Sequence, residues 1–304
     1  MAHGKKLVSL KKVIKSELNP NDRKADVLVG MSVHALDRLS WLQDAVESIV
    51  NQTYQNLVFA IVIDGPVSKE ISDYLFRLPT SQKNVIVFER EYNCGLSSCM
   101  NFLIEYFIEC DFKYFFRMDS DDISELRRIK YQVDFLQKNL DISVLGSSLI
   151  EINELGEKVG KRILPLKHRE IVRFLPKRCS LNHPTVALRF EIFKMGFRYK
   201  EHLKNTQDYF FWIELAASGI KFANSKEKLL KFRRVNDFYK RRGFSKSLNE
   251  FKARIYAMKV LNKMNLSNIV YALCVLILRL MPSKFVKLAY KVDRYMLNKR
   301  VRHE

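Results

Sequence analysis

The chain has 304 residues, 47% hydrophobic and 12% aromatic, which is enough for the core of one large or two modest domains and excludes a disordered tail. Its 53 Lys and Arg against 33 Asp and Glu give a formal charge of +20, a sign that suits nucleic acid, an anionic membrane surface or a phosphate-bearing substrate without choosing among them. The five cysteines, at 94, 99, 110, 179 and 274, form no Cys-x-x-Cys pair, which speaks for reduced thiols in a cytosolic setting and against a disulfide scaffold or zinc site.

Residues 1–24 carry lysines but no apolar stretch of signal-peptide length before Asp22, and are expected to be a short basic helix or a leader. Residues 25–32, with Val27, Leu28, Val29, Gly30 and Met31, read as a central parallel strand. Over 39–50 the apolar positions Leu42, Ala45, Val46, Ile49 and Val50 fall at helical spacing. A second buried strand, 57–63, leads into Asp64-Gly65-Pro66. A helix over 71–78, a strand over 85–88 and a turn at Asn93-Cys94-Gly95 follow, then a helix over 96–108. The aromatic run Tyr114-Phe115-Phe116 predicts a further buried strand, ending in Asp119-Ser120-Asp121-Asp122. Strand and helix thus alternate as in a doubly wound α/β sheet, in which ligands sit beyond the carboxyl ends of the strands. Ser32, Asp64, Arg90 and Asp119 each follow or end a predicted strand and would converge there. The chain has no Gly-x-Gly-x-x-Gly and no Gly-Lys-Ser/Thr loop, so dinucleotide oxidoreductase and P-loop chemistry lose their main support.

Three carboxylates in four residues repel one another and resist desolvation unless donors or a cation compensate. Mg²⁺ or Mn²⁺ does this well, since both prefer oxygen ligands and share them with phosphates. The plain alternative is a solvated acidic turn that caps the next helix. Beyond the turn we expect a helix over 127–139, a strand over 142–145, a hairpin turn at 153–157, a helix over 167–175 and a short strand over 185–188. An apolar helix over 208–218 carries Gln207 and Asp208 at its start, where Asp208 is either functional or a cap. Lys231, Arg233, Arg234, Lys240, Arg241 and Arg242 form a basic run: an ordinary charged surface, or an arm whose guanidinium forks close over a diphosphate. No zinc-finger spacing or repeated aromatic-basic motif accompanies it, so nucleic-acid binding rests on charge alone.

Residues 265–278 hold no charge but are too few for a membrane span. After Pro282, Phe285, Leu288, Ala289, Val292 and Met296 fall on one helical face, with Lys284, Lys287, Lys291 and Arg294 between or opposite them. This basic amphipathic tail fits a helix lying in an anionic interface, or one docked on the domain or on a second subunit.

Taken in order, Ser48-Ile49-Val50-Asn51-Gln52-Thr53-Tyr54, Asp64-Gly65-Pro66, Asn93-Cys94-Gly95-Leu96, Met118-Asp119-Ser120-Asp121-Asp122, Asn182-His183-Pro184-Thr185 and Thr206-Gln207-Asp208-Tyr209 resemble the inverting nucleotide-sugar glycosyltransferases of family two, with the GT-A fold, in particular bacterial enzymes of O-antigen and capsule synthesis. The resemblance runs from about residue 25 to 242. It implies a GT-A domain over 25–245, with a donor-nucleotide half (25–122) and an acceptor and catalytic half (123–245), followed by a helical region, 246–304. It implies Ser32, Asp64 and Arg90 near the uridine, Asp119 near ribose and sugar, Asp121 with Asp119 on Mn²⁺ or Mg²⁺, and Asp208 as the base. His183 would meet diphosphate or acceptor, and Arg233, Arg234 and Arg241 would reach the diphosphate. Gln207-Asp208 replaces the usual Glu-Asp, and Ile63-Asp64-Gly65-Pro66 stands where members often have Asp-Asp-Gly-Ser. The implied reaction moves glucose or galactose from a UDP-sugar to a saccharide on a polyprenyl diphosphate, at the cytosolic face of the bacterial inner membrane, with a homo-oligomer among the expected assemblies. The competing readings are a nucleic-acid-binding protein and a nucleotidyltransferase on a related fold.

Overall fold

The computed structural model describes residues 10–15, 25–203, 205–235 and 244–280. A mixed sheet runs β1 (Leu10–Lys15), β4 (Val85–Arg90), β3 (Leu57–Ile63), β2 (Val27–Val33), β5 (Tyr114–Asp119), β9 (Ala187–Arg189), β7 (Val144–Ile152), β10 (Phe222–Arg233) and β6 (Ile123–Ser124), with β8 (Lys158–Arg162) paired to β7. The block β4-β3-β2-β5 is parallel, as expected for strands with almost wholly apolar sequences buried on both faces. Its helices are α1 (Leu39–Val50), α2 (Lys69–Ser81) and α3 (Leu96–Tyr106). The second half adds α4 (Arg128–Lys138), α5 (His168–Phe174), α6 (Glu191–Lys194) and α7 (Gln207–Ala217). Two more helices, α8 (Phe244–Val260) and α9 (Leu266–Leu280), complete the described chain.

Each face of the sheet carries its own core. One is built with α1, α2 and α4 and holds Val29, Met31, Phe59, Phe116 and Met118. The other, under α3, α7 and α8, holds Phe88, Phe107, Phe115, Phe193, Phe211 and Trp212. Gly30 allows the second core to close, since a Cβ there would lie 2.9 Å from the Phe115 ring and 3.1 Å from Leu103.

The register fixes the level of the site. Ser32 stands opposite both Val62 and Asp119, and Ile63 opposite Val33, so the ends of β2, β3 and β5 are flush. Asp64, Ser32 and Asp119 therefore leave the sheet along one edge.

Three expectations change. Residues 10–15 form an antiparallel edge strand on β4 and not a basic helix; Lys11, Lys12 and Lys15 are exposed, and lysines on an edge strand discourage pairing with another chain. β7 extends to Ile152, well past Leu145. β10 has no counterpart in the predicted elements, because Lys226-Glu227-Lys228 interrupts its alternation where the register slips between Ser225 and Lys231. The expected hairpin turn is present, with Asn153 and Gly156 bonding across residues 153–157. Of the 246–304 region, α8 packs on α7 and α9; the predicted amphipathic tail after Pro282, like Arg241, lies outside the described residues.

Candidate active site

One end of the strand edge is built around Asp64. It follows β3, and its two carboxylate oxygens accept the backbone N–H groups of Cys94 and Gly95, both at 2.8 Å. The side chain thus caps the N-terminus of α3, whose own residue Gly95 has no side chain to do so. Gly65, at φ +83, completes the turn; a Cβ there would meet the Asn93 nitrogen at 2.6 Å. Ser32 and Asp64 both act on the Cys99 thiol, which burial above all pushes up to about 12. Arg90 is buried, with Nη1 3.2 Å from the Ser98 hydroxyl. Ser32, Asp64 and Arg90 therefore do gather at the start of α3.

The acid turn is held from behind. Gln52 is fully buried; its amide donates to the Glu125 carbonyl (2.9 Å) and the Ser124 hydroxyl (3.3 Å), and its oxygen accepts from the Ile129 N–H (3.0 Å). Ser48 accepts from the Ser124 N–H at 3.0 Å. The Ser48–Gln52 motif is thereby explained: it latches α1 to the exit of the turn. Arg233 closes the other side. Its backbone N–H donates to Asp122 (2.9 Å), its Nε to the Asp121 carbonyl (3.0 Å), Nη1 to the Glu154 carbonyl (3.2 Å) and Nη2 to Asp44 (2.9 Å). It is buried and fully engaged, a brace for the turn and not an arm in solvent. Arg234 bonds the Ile152 carbonyl and the buried Glu151.

Within this frame Asp119, Asp121 and Asp122 each offer an oxygen, all within 4.8 Å of one another. Burial first, then Asp119 and Asp37, pushes the Asp121 carboxyl up to about 7. Asp122 is raised well above the carboxylate range by burial, then by Asp119 and Asp121. Its Oδ2 is buried with no hydrogen-bond partner. Three oxygens, excess negative charge and an orphaned acceptor suit a hard divalent cation.

The other side of the acid turn begins at Arg117. Period two along β5 puts Arg117 on the face of Asp119, to which its Nη2 donates. The 3₁₀ turn His183–Thr185 packs on β5, with the Arg117 N–H 3.3 Å from the Val186 carbonyl. His183 Nε2 lies 3.2 Å from the Tyr199 hydroxyl, and burial, then the Arg117 charge, depresses the His183 pKa well below the usual range. Both effects favour the neutral imidazole. Asp208 lies in the first turn of α7, two residues after Thr206 in the left-handed region (φ 67), and its charge acts on Tyr199 and Cys179. Arg117 acts on the same Tyr199, so the charges of Arg117 and Asp208 oppose each other at this hydroxyl. Reasoning from sequence passed over Arg117, Tyr199 and Asp37. For Arg117 the signal was there: an arginine inside an apolar strand, two residues before an acid.

The profile described as Glycosyl transferase family 2 matches residues 33–197, more than half the chain and spanning β2 through the acid turn to His183. The chain belongs to glycosyl transferase family 2. This family 2 glycosyltransferase is 29% identical over 267 residues to the amylovoran biosynthesis glycosyltransferase AmsE of Erwinia amylovora, covering 87% of this chain and 97% of that one. It is 28% identical over 264 residues to the Escherichia coli UDP-Gal:alpha-D-GlcNAc-diphosphoundecaprenol beta-1,3-galactosyltransferase, covering 86% and 94%. Among solved structures, TarS residues 1–349 of S. aureus with UDP-GlcNAc aligns at TM-score 0.57 and 14% identity over 86% of this chain and 82% of that one. The Pyrobaculum calidifontis mannosyltransferase with GDP-Man and Mn²⁺ aligns at TM-score 0.53 and 13% identity, covering 96% and 86%. These two establish a shared fold.

Proposed function

We propose that the protein is an inverting hexosyltransferase that moves glucose or galactose from a UDP-sugar to a saccharide carried on a polyprenyl diphosphate, forming a β-linkage in a bacterial surface polysaccharide. The observation that carries this reading is the triad Asp119, Asp121 and Asp122, flush with Asp64 at the carboxyl edge of the parallel block, with the charges of Arg117 and Asp208 both acting on Tyr199. The names of the AmsE and diphosphoundecaprenol galactosyltransferase relatives support the donor and acceptor classes.

In this reading Ser32, Asp64 and Arg90 line the nucleoside end of the donor, beside α3. Asp119, Asp121 and Asp122 would hold a divalent cation, which when bound supplies charge neutralisation at the donor diphosphate. Asp208 accepts the proton of the acceptor hydroxyl as its oxygen attacks the anomeric carbon and UDP leaves from the opposite face. One displacement inverts the centre, so an α-linked donor yields a β-linkage, and no sugar–enzyme bond is formed. His183, neutral and hydrogen-bonded to Tyr199, orders the wall between donor and acceptor.

The acceptor class requires work at a membrane. Among the described residues no helix is long and apolar enough to cross one. α9 instead exposes Leu266, Val270, Leu273 and Ile277 on a chain of charge +20, which supports peripheral attachment to an anionic cytosolic leaflet.

The test is a panel of UDP-sugars with lipid-diphosphate saccharide acceptors, read by product mass and linkage, with Asp121→Ala as control. A β-hexosyl product that disappears in the control is expected. Release of diphosphate from a nucleoside triphosphate, with no sugar transfer, would replace this reading with nucleotidyl transfer.

A further inference from the structure

Arg117 is an unusual residue to find in the middle of β5. Its side chain is 3% exposed, among apolar neighbours, and its burial costs desolvation that the Asp119 charge opposes first. Among the described residues, the guanidinium paired with a carboxylate of the acid turn is Arg117; Arg233 meets the Asp121 carbonyl and the Asp122 carboxylate only through its Nε and backbone N–H. The Arg117 Nε–H is buried and has no partner. A guanidinium offers five donors in a rigid fork, so a donor left unsatisfied on the acceptor side of the turn is a group with unfilled capacity.

Two further facts set its surroundings. Asp119, which Arg117 grips, is one of the three oxygens within 4.8 Å that suit a cation. The turn at 183–186 lies against the Arg117 backbone, and His183 and Tyr199 sit 3.2 Å apart within its field. A cation at the triad and the guanidinium would then share one carboxylate, and like charges there oppose each other.

We propose that Arg117 is a positioning residue that competes with the divalent cation for Asp119 and, as the cation loads, turns its donors toward the His183–Tyr199 side of the site. Loading the donor cation is thereby coupled to the order of the wall facing Asp208. The inference rests on the cation reading of the acid turn.

The experiment is a Mn²⁺ titration of the full chain, without nucleotide, followed by electron paramagnetic resonance, on wild type, Arg117→Met and Arg117→Lys. An opposite charge within about 4–6 Å is worth roughly one to three pKa units on a carboxylate, so its removal should tighten Mn²⁺ binding by about tenfold. R117M is expected to bind Mn²⁺ about tenfold more tightly, and R117K within about threefold of wild type. Both should lose kcat with the KM for donor nearly unchanged. A purely structural arginine gives the opposite sign: a folded R117M that binds Mn²⁺ no more tightly, or less tightly, overturns the proposal. If R117M does not fold, wild type decides the matter. With ¹⁵N-arginine labelling, the Arg117 Nε–H signal, assigned by its loss in R117K, is expected to move on adding Mg²⁺, and a signal that stays put overturns the proposal. Wild type that binds no Mn²⁺ at all rejects the cation reading itself, and this inference with it.

Discussion

Asp122 carries one oxygen on the Arg233 N–H and one on nothing, in a fully buried position. A carboxylate left so is costly without a cation or a proton. Asp121, half-buried beside Asp119, is raised to about 7. Its sign is definite: a folded-state pKa above the unfolded 3.8 means that the metal-free protein loses this stabilisation as pH rises from about 4 through 7. A cation must displace the proton, so Mn²⁺ affinity should fall about tenfold per unit as pH drops below about 7 and level off above it. Calorimetric titration at pH 6, 7 and 8 checks this, and the Mn²⁺-induced rise in Tm should be larger at pH 8 than at pH 6. A flat profile removes Asp121 from the cation site. At the other end of the site, Asp208→Asn should keep UDP binding within about threefold and lower kcat by about 10²–10⁴, the usual worth of a general base. Near-normal turnover would dismiss Asp208 as the base.

Among the elements, α1 and α3 do more than cover the sheet. The Asp64 carboxylate caps α3, and Gln52 at the end of α1 ties Ser124, Glu125 and Ile129. Gln52→Ala strips a fully buried amide from several partners at once. Each group left unsatisfied costs about 1–3 kcal/mol, so a loss of about 3 kcal/mol is expected, read from the urea midpoint at unchanged m. The same variant should weaken Mn²⁺ binding, because the exit of the acid turn loosens. A variant as stable as wild type would show that the latch is dispensable. The predicted elements were legible where apolar runs were long and uninterrupted: β2, β3, β5, α1 and α7 all appear close to their expected bounds. β10 was not, since a strand whose charged centre bulges out of register has no periodicity to read. Nor was β1, because lysines that protect a sheet edge look, in sequence, like the polar face of a helix.

For the whole molecule, the formal charge of +20 is the property that bears on an anionic membrane surface. Removing residues 283–304 deletes the basic amphipathic sequence after Pro282. Partition onto anionic liposomes at about 0.1 M salt should then fall at least fivefold, and that of the intact chain should weaken as salt rises over its Debye screening range. Sedimentation with vesicles measures both. Equal partition with and without the tail would assign attachment elsewhere, α9 being the first place to look.

The amino-acid order alone determined the alternating strands and helices, the acids that end β5 and the motifs that mark the family, because each is written in local periodicity or in adjacent residues. Only the folded chain decided that Arg233 braces the acid turn instead of reaching over a diphosphate, that Gln52 holds that turn from α1, and that the turn at 183–186 lies against Arg117. Those contacts join residues up to 189 positions apart in the chain. A partner that far away leaves no trace in spacing; strand order and register alone bring the two side chains together.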